Sequence, residues 1–164
     1  MDFIPTKYSL VCCADGHRFE DCGWSLADPQ CGCPSLVRAV YANKQFNPRE
    51  DLDGLYRYAD WLPVRRILKG SAAPVTYKSE ALAAELGLNN LYITFSGWWP
   101  EKGARMSTCS FKETEAYSVC GRLDFATERI LVVASAGNTA RAFAKVCSDN
   151  GIPLLLSVPK DNID

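Results

Sequence analysis

The chain lacks the basic start and apolar stretch of a secretory signal; it opens Met1-Asp2-Phe3-Ile4-Pro5. Long hydrophobic runs are missing too, since Leu154-Leu155-Leu156 is far too short to cross a bilayer. Charge of one sign is also scarce. With 18 basic and 19 acidic residues, the net charge of -1 makes no electrostatic case for nucleic acid or an anionic membrane. No internal repeat and no low-complexity tract occurs. These absences leave a soluble, cytoplasmic protein with neither nucleic acid nor membrane as partner. What is present agrees with this: 164 residues, 48% apolar and 23% charged, suffice for one ordinary domain with its own core.

Cysteine is the residue in excess. Five of the eight, Cys12, Cys13, Cys22, Cys31 and Cys33, fall in the first 33 residues. Without a secretory signal they read as thiols or metal ligands and not as a disulfide framework. Cys13, His17, Cys31 and Cys33 could supply the four tetrahedral ligands that zinc requires. Their spacings are not those of a standard zinc site, so no metal is expected in the segment. Cys120 and Cys147 fall in patterned stretches and read as small buried apolar side chains.

Composition divides the chain. Residues 1–40 are Cys-rich and irregular, and the polar stretch 41–58 has turn formers at Asn47-Pro48 and Asp53-Gly54. Regular elements are expected from Trp61 onward. Ser79 to Leu88 predicts a short helix, with Gly87 suited to its end. Leu91 to Phe95 predicts a strand. Gly97 to Gly103 predicts a loop, whose Trp98 and Trp99 either pack beneath it or line a ligand site. Ser110 and Glu113 have capping-box spacing, which predicts a helix from Phe111 to about Cys120, ending at Gly121. Ile130–Ala134, Arg141–Asp149 and Ile152–Val158 predict a strand–helix–strand crossover joining parallel strands. The fold class is α/β. The strand run Gly151–Pro159 is followed by only five residues, where a parallel strand needs chain to cover it, which suggests a fragment of something larger.

Two segments carry chemistry. Lys112 lies in the first turn of its helix, where the dipole disfavours an ammonium, and a neutral lysine amine can attack an aldehyde. Alone, it reads as a surface helical lysine. The turn Ser135-Ala136-Gly137-Asn138-Thr139 lies after a strand, where open parallel sheets bind ligands. Its backbone N–H groups could receive a carboxylate, with hydroxyls at Ser135 and Thr139 and an amide at Asn138. Alone, it reads as a capped strand–helix turn.

Order and neighbours make these segments specific. Pro74-Val75-Thr76-Tyr77-Lys78-Ser79-Glu80-Ala81-Leu82, Leu86-Gly87-Leu88, Leu91-Tyr92-Ile93, Ser110-Phe111-Lys112 and Ala136-Gly137-Asn138-Thr139 follow one another. In that order they resemble the threonine synthase-like, fold-type II pyridoxal phosphate enzymes. Asp60-Trp61-Leu62-Pro63-Val64-Arg65 and Phe95-Ser96-Gly97-Trp98-Trp99-Pro100-Glu101 resemble the archaeal cysteate synthase subgroup in particular. The resemblance runs from about Tyr58 to Pro159.

It implies an open, mostly parallel sheet with helices on both faces, preceded by a small Cys-rich knuckle-like segment. Residues 1–40 would be that segment, 41–129 the N-terminal part of the large domain, and 130–164 the truncated start of a second, small α/β domain. It implies pyridoxal 5'-phosphate as cofactor, carried by Lys112 as catalytic residue and contacted by Asn138. Ser135, Gly137 and Thr139 would receive the substrate carboxylate. The implied reaction turns O-phospho-L-serine and sulfite into L-cysteate and phosphate, on the route to coenzyme M, with a homo-oligomer when full length. Threonine synthase, acting on O-phosphohomoserine, and a non-catalytic zinc-knuckle interaction module are the alternatives.

Relatives of this kind often begin with two Cys-x-x-Cys pairs, and here that pattern is degraded to a vestigial or metal-free knuckle. Many carry Thr-Gly before Ser-Phe-Lys where this chain has Thr108-Cys109, and usually glycine where Ala140 stands. The family's glycine-rich phosphate loop is expected beyond Asp164, which makes this chain inert by itself.

Overall fold

The computed structural model describes residues 3–32, 34–124 and 128–162. Its first surprise is order in the Cys-rich segment, which was expected to be irregular. β1 (Tyr8–Cys12), β2 (Arg18–Phe19) and β3 (Val37–Tyr41) form an antiparallel sheet in the order β2-β1-β3. β1 takes the centre because Leu10, Val11 and Cys12 are all buried, a continuous apolar run suited to an interior strand. Tyr8 faces Tyr41 and Cys12 faces Val37 across the β1–β3 pairing.

Next, a 3-10 stretch over Gly54–Trp61 buries Tyr56 and Ala59, with a kink at Tyr58. β4 (Val75–Lys78) pairs antiparallel with β5 (Tyr92–Phe95), and α1 (Glu80–Glu85) lies between them in the chain. The expected loop at 97–103 is a tight hairpin instead. β6 (Trp98–Trp99) pairs with β7 (Ala104–Arg105), turning through Gly103 at φ 86. Both tryptophans are exposed; Trp99 meets Phe95 edge-on, with ring centroids 6.1 Å apart.

α2 (Lys112–Arg122) follows, then β8 (Leu131–Ala134), α3 (Asn138–Asn150) and β9 (Leu154–Ser157). β8 and β9 are parallel, as the crossover pattern required, with Leu131 opposite Leu154 and Ala134 opposite Ser157. The expected mostly parallel sheet with helices on both faces is not formed among the described residues. β8–β9 is their one parallel pairing, and the other three sheets are antiparallel.

The core lies where α2 and α3 pack together. Ala116 and Ala142 permit close approach, and Tyr56, Val64, Met106, Tyr117, Phe143 and Val146 fill the surrounding space. Burying one such side chain contributes about 1.5–3 kcal/mol. Cys120 and Cys147 belong to this core, with their Sγ atoms 3.7 Å apart. Contact with the Cys147 sulfur and burial push the Cys120 thiol up. Leu131, Val133 and Leu154 close the core from the β8–β9 sheet, whose other face leaves Val132 and Leu155 exposed.

Candidate functional site

The segment leading to Lys112 is shaped by a buried carboxylate. Glu113 is 2% exposed, and its oxygens accept from Thr108 N–H at 2.7 Å, Ser107 N–H at 3.3 Å and Ser107 Oγ at 3.2 Å. The capping-box spacing predicted that this side chain would reach the Ser110 N–H. It turns instead to the two residues before Cys109, of which Thr108 is buried and has its N–H satisfied by this carboxylate. Ser110 still serves the helix start: its Oγ accepts from Lys112 N–H at 3.3 Å and its carbonyl from Glu113 N–H at 3.0 Å.

Cys109 is held in the left-handed region at φ 53, alone among the described non-glycine residues. A side chain there costs about 1–2 kcal/mol, which makes glycine the natural occupant. This gives a physical reason for the Thr-Gly found in many resembling sequences. The loop geometry is kept here despite the cysteine.

Lys112 opens α2 with its amine about one-third exposed. Nζ donates to Glu115 Oε2 at 2.6 Å and lies 5.3 Å from the Phe111 ring centre. An exposed pair one turn apart contributes little, on the order of 0.3–0.5 kcal/mol, so the amine is readily released from it.

The second segment starts α3 earlier than its periodicity suggests, at Asn138 and not at Arg141. Ser135 causes this. Its Oγ accepts from Gly137 N–H at 3.2 Å and Ala140 N–H at 3.3 Å, tying the loop to the first turn. Gly137 N–H, expected to face a carboxylate, is thereby engaged. Among the described residues, the N–H groups of Asn138 and Thr139 have no protein acceptor, as first-turn donors commonly do not. The Asn138 side chain is exposed and Thr139 is half-buried. Ser135, Gly137, Asn138 and Thr139 thus form one loop, and Lys112 begins the helix packed against α3. Each lies a little over two turns before the Cys120–Cys147 contact.

The Cys-rich segment is fastened to the far end of α2. Arg122 donates to both Asp21 oxygens at 2.7 and 2.8 Å and to the Ser25 carbonyl at 2.7 Å. Burial by itself would raise the Asp21 carboxyl, but donors from Arg122, Tyr8 and Gly23 outweigh it and bring it to about 2. Burial, together with its hydrogen bond to the Asp21 carboxylate, pushes the Tyr8 phenol up to about 12.

Within this segment the four thiol and imidazole groups named from sequence do not assemble. The His17 ring is engaged by Asp28, Nδ1 to Oδ2 at 2.7 Å, Cys13 is exposed, and Cys33 lies outside the described residues. The structure brings together Cys12, Asp15 and Cys31 instead, with ligand atoms all within 4.8 Å of one another. The ligand set read from the sequence left out both Cys12 and Asp15. The available signal for Asp15 was its place two residues beyond Cys13 and one before Gly16, the glycine of the turn.

A lysine at one helix start, and a hydroxyl- and amide-rich turn at the start of the helix packed on it, thus lie on neighbouring elements of an α/β scaffold. Comparison with known proteins makes this more particular. The chain is 48% identical over 158 residues to the cysteate synthase of Methanoculleus marisnigri, matching 96% of the chain and 36% of that protein. It is 51% identical over 152 residues to the cysteate synthase of Methanothrix thermoacetophila, covering 90% and 36%. With the cysteate synthase of Methanococcoides burtonii the identity is 55% over 135 residues, covering 79% and 32%. The chain therefore spans about a third of the length of these curated relatives. No family model matches it, and no solved structure does.

Proposed function

We propose that the chain is the N-terminal portion of a pyridoxal phosphate-dependent cysteate synthase. The complete enzyme replaces the phosphate of O-phospho-L-serine with sulfite, giving L-cysteate and phosphate for coenzyme M synthesis. The observation that carries this reading is similarity to named cysteate synthases along nearly the whole chain. The residues present fit the cofactor. The Lys112 amine is accessible and paired only at the surface, and an exposed amide starts the neighbouring helix.

When bound, the cofactor supplies an electron sink for the pair left as the substrate α-proton departs. The Lys112 amine holds the cofactor and then takes the α-proton as general base. Asn138 orients the cofactor ring from the start of α3. Thr139, with the open N–H groups of the first turn, receives the substrate carboxylate, and Ser135 and Gly137 shape that pocket. Groups that grip the cofactor phosphate are supplied by the rest of the complete enzyme. The complete enzyme is a cytoplasmic homo-oligomer. In it, residues 1–40 form the Cys-rich knuckle, 41–129 the start of the large domain and 130–164 the start of the small one.

The test uses the full-length enzyme. With added cofactor it acquires a visible absorption band, Lys112→Ala removes the band, and phosphoserine plus sulfite yields cysteate. Absence of the band sinks the cofactor reading. Turnover of O-phosphohomoserine to threonine in place of cysteate formation assigns the site to threonine synthase.

A further inference from the structure

We propose that Cys12, Asp15 and Cys31 form a zinc site in the Cys-rich segment. This departs from the metal-free knuckle expected from sequence, and it stands independently of the catalytic reading. The local backbone presents the ligands. Cys12 ends β1, and the chain reverses at once, with Gly16 N–H donating to the Cys12 carbonyl at 3.0 Å. Cys12 N–H in turn donates to the His17 carbonyl at 2.9 Å. Gly16 adopts φ 77, a left-handed conformation that lets the chain close so tightly. Cys12 and Asp15 therefore project from opposite ends of one short turn, and Cys31 reaches them from a separate loop.

The three ligand atoms lie within 4.8 Å of one another. Zinc bonds of ~2.3 Å to sulfur and ~2.0–2.2 Å to oxygen place tetrahedral ligand atoms somewhat closer than that. Small side-chain rotations at the half-buried Cys31 and the exposed Asp15 suffice to close the difference. Two sulfurs and one oxygen suit zinc and disfavour magnesium or calcium, which require oxygen ligands.

The surroundings support the same assignment. Asp15 Oδ1 accepts from His17 N–H at 2.9 Å, which orients the carboxylate and leaves its other oxygen for the ion. His17 is taken up by Asp28 and stacks on Phe19 with ring centroids 5.8 Å apart, so it buttresses the turn from outside. Binding follows a balanced exchange: zinc enters, the two thiols become thiolates, and two protons leave to solvent. Affinity accordingly rises with pH.

The experiment uses the 164-residue chain, stripped with chelator and titrated first with cobalt(II) and then with zinc. One ion per chain is expected, with a thiolate-to-cobalt charge-transfer band that zinc abolishes. Cys31→Ser halves that band. Asp15→Ala, at an exposed position, weakens zinc binding by at least the ~10–100-fold that losing an outer-shell partner alone costs. Asp15→Cys tightens binding, and Cys13→Ser and His17→Gln leave it unchanged. Substoichiometric binding, an unchanged affinity in Asp15→Ala, or loss of binding in Cys13→Ser each overturns the assignment.

Discussion

Replacing Glu113 with alanine tests whether a buried carboxylate builds the approach to Lys112. Its bond from the Thr108 N–H, at 2.7 Å, is short and charge-assisted, and the donor is buried; the two from Ser107 are longer. Stranding one buried donor costs about 1–3 kcal/mol, and lost packing adds about 1 kcal/mol, so about 3 kcal/mol in total is expected. With a urea dependence of about 2 kcal/mol per molar, the unfolding midpoint moves down by about 1.5 M. Glu113→Gln keeps one acceptor for Thr108 while turning an amide N–H toward Ser107, and loses about half as much. Glu101→Ala, at an exposed acid, is the control. Amide exchange at Thr108 reports the loop directly, speeding up in Glu113→Ala even where the midpoint is restored by stabilising solutes. A midpoint shift equal to that of Glu101→Ala refutes the reasoning.

Acid unfolding should register Asp21. Its folded carboxyl lies at about 2, below the ordinary 3.8, so its stabilising contribution is complete above pH ~4 and is lost as pH falls through about 2. That contribution is on the order of 2 kcal/mol, and Asp21→Asn removes it from the pH dependence of the urea midpoint. Cys109→Gly relieves an unfavourable φ while adding freedom to the unfolded chain, a net gain of up to ~1 kcal/mol read as a higher thermal midpoint. Cys109→Val lowers the midpoint. In the full-length enzyme, Glu115→Gln frees the Lys112 amine but leaves the visible cofactor band in place, whereas Lys112→Arg abolishes the band.

Much of the helical architecture was legible in the sequence because helices and parallel strands carry long periodic signals. α2 and the β8–α3–β9 unit lie where spacing placed them, within a few residues. The start of α3 was misplaced because Ser135 reaches forward to Gly137 and Ala140, a contact invisible to a hydrophobic pattern. The Cys-rich sheet was missed for a related reason: β2 is two residues long, and β3 pairs with β1 across the long, irregular stretch between them. Glu113 had the right spacing for a capping box, but burial and two nearby donors directed its carboxylate elsewhere. Of the candidate site, Lys112 and the 135–139 loop were named as a pair from residue order. That their helices pack on each other came only from the structure. Asp15 was not legible as a ligand because the Cys13–His17 set seemed complete without it.

α2 is clamped at both ends, by Glu113 to the 107–108 loop and by Arg122 to Asp21 and Ser25. A rod pinned in this way can neither slide along its axis nor roll without breaking these hydrogen bonds. The backbone of Lys112 is consequently a fixed post, and any travel of its amine must come from rotation within the side chain itself.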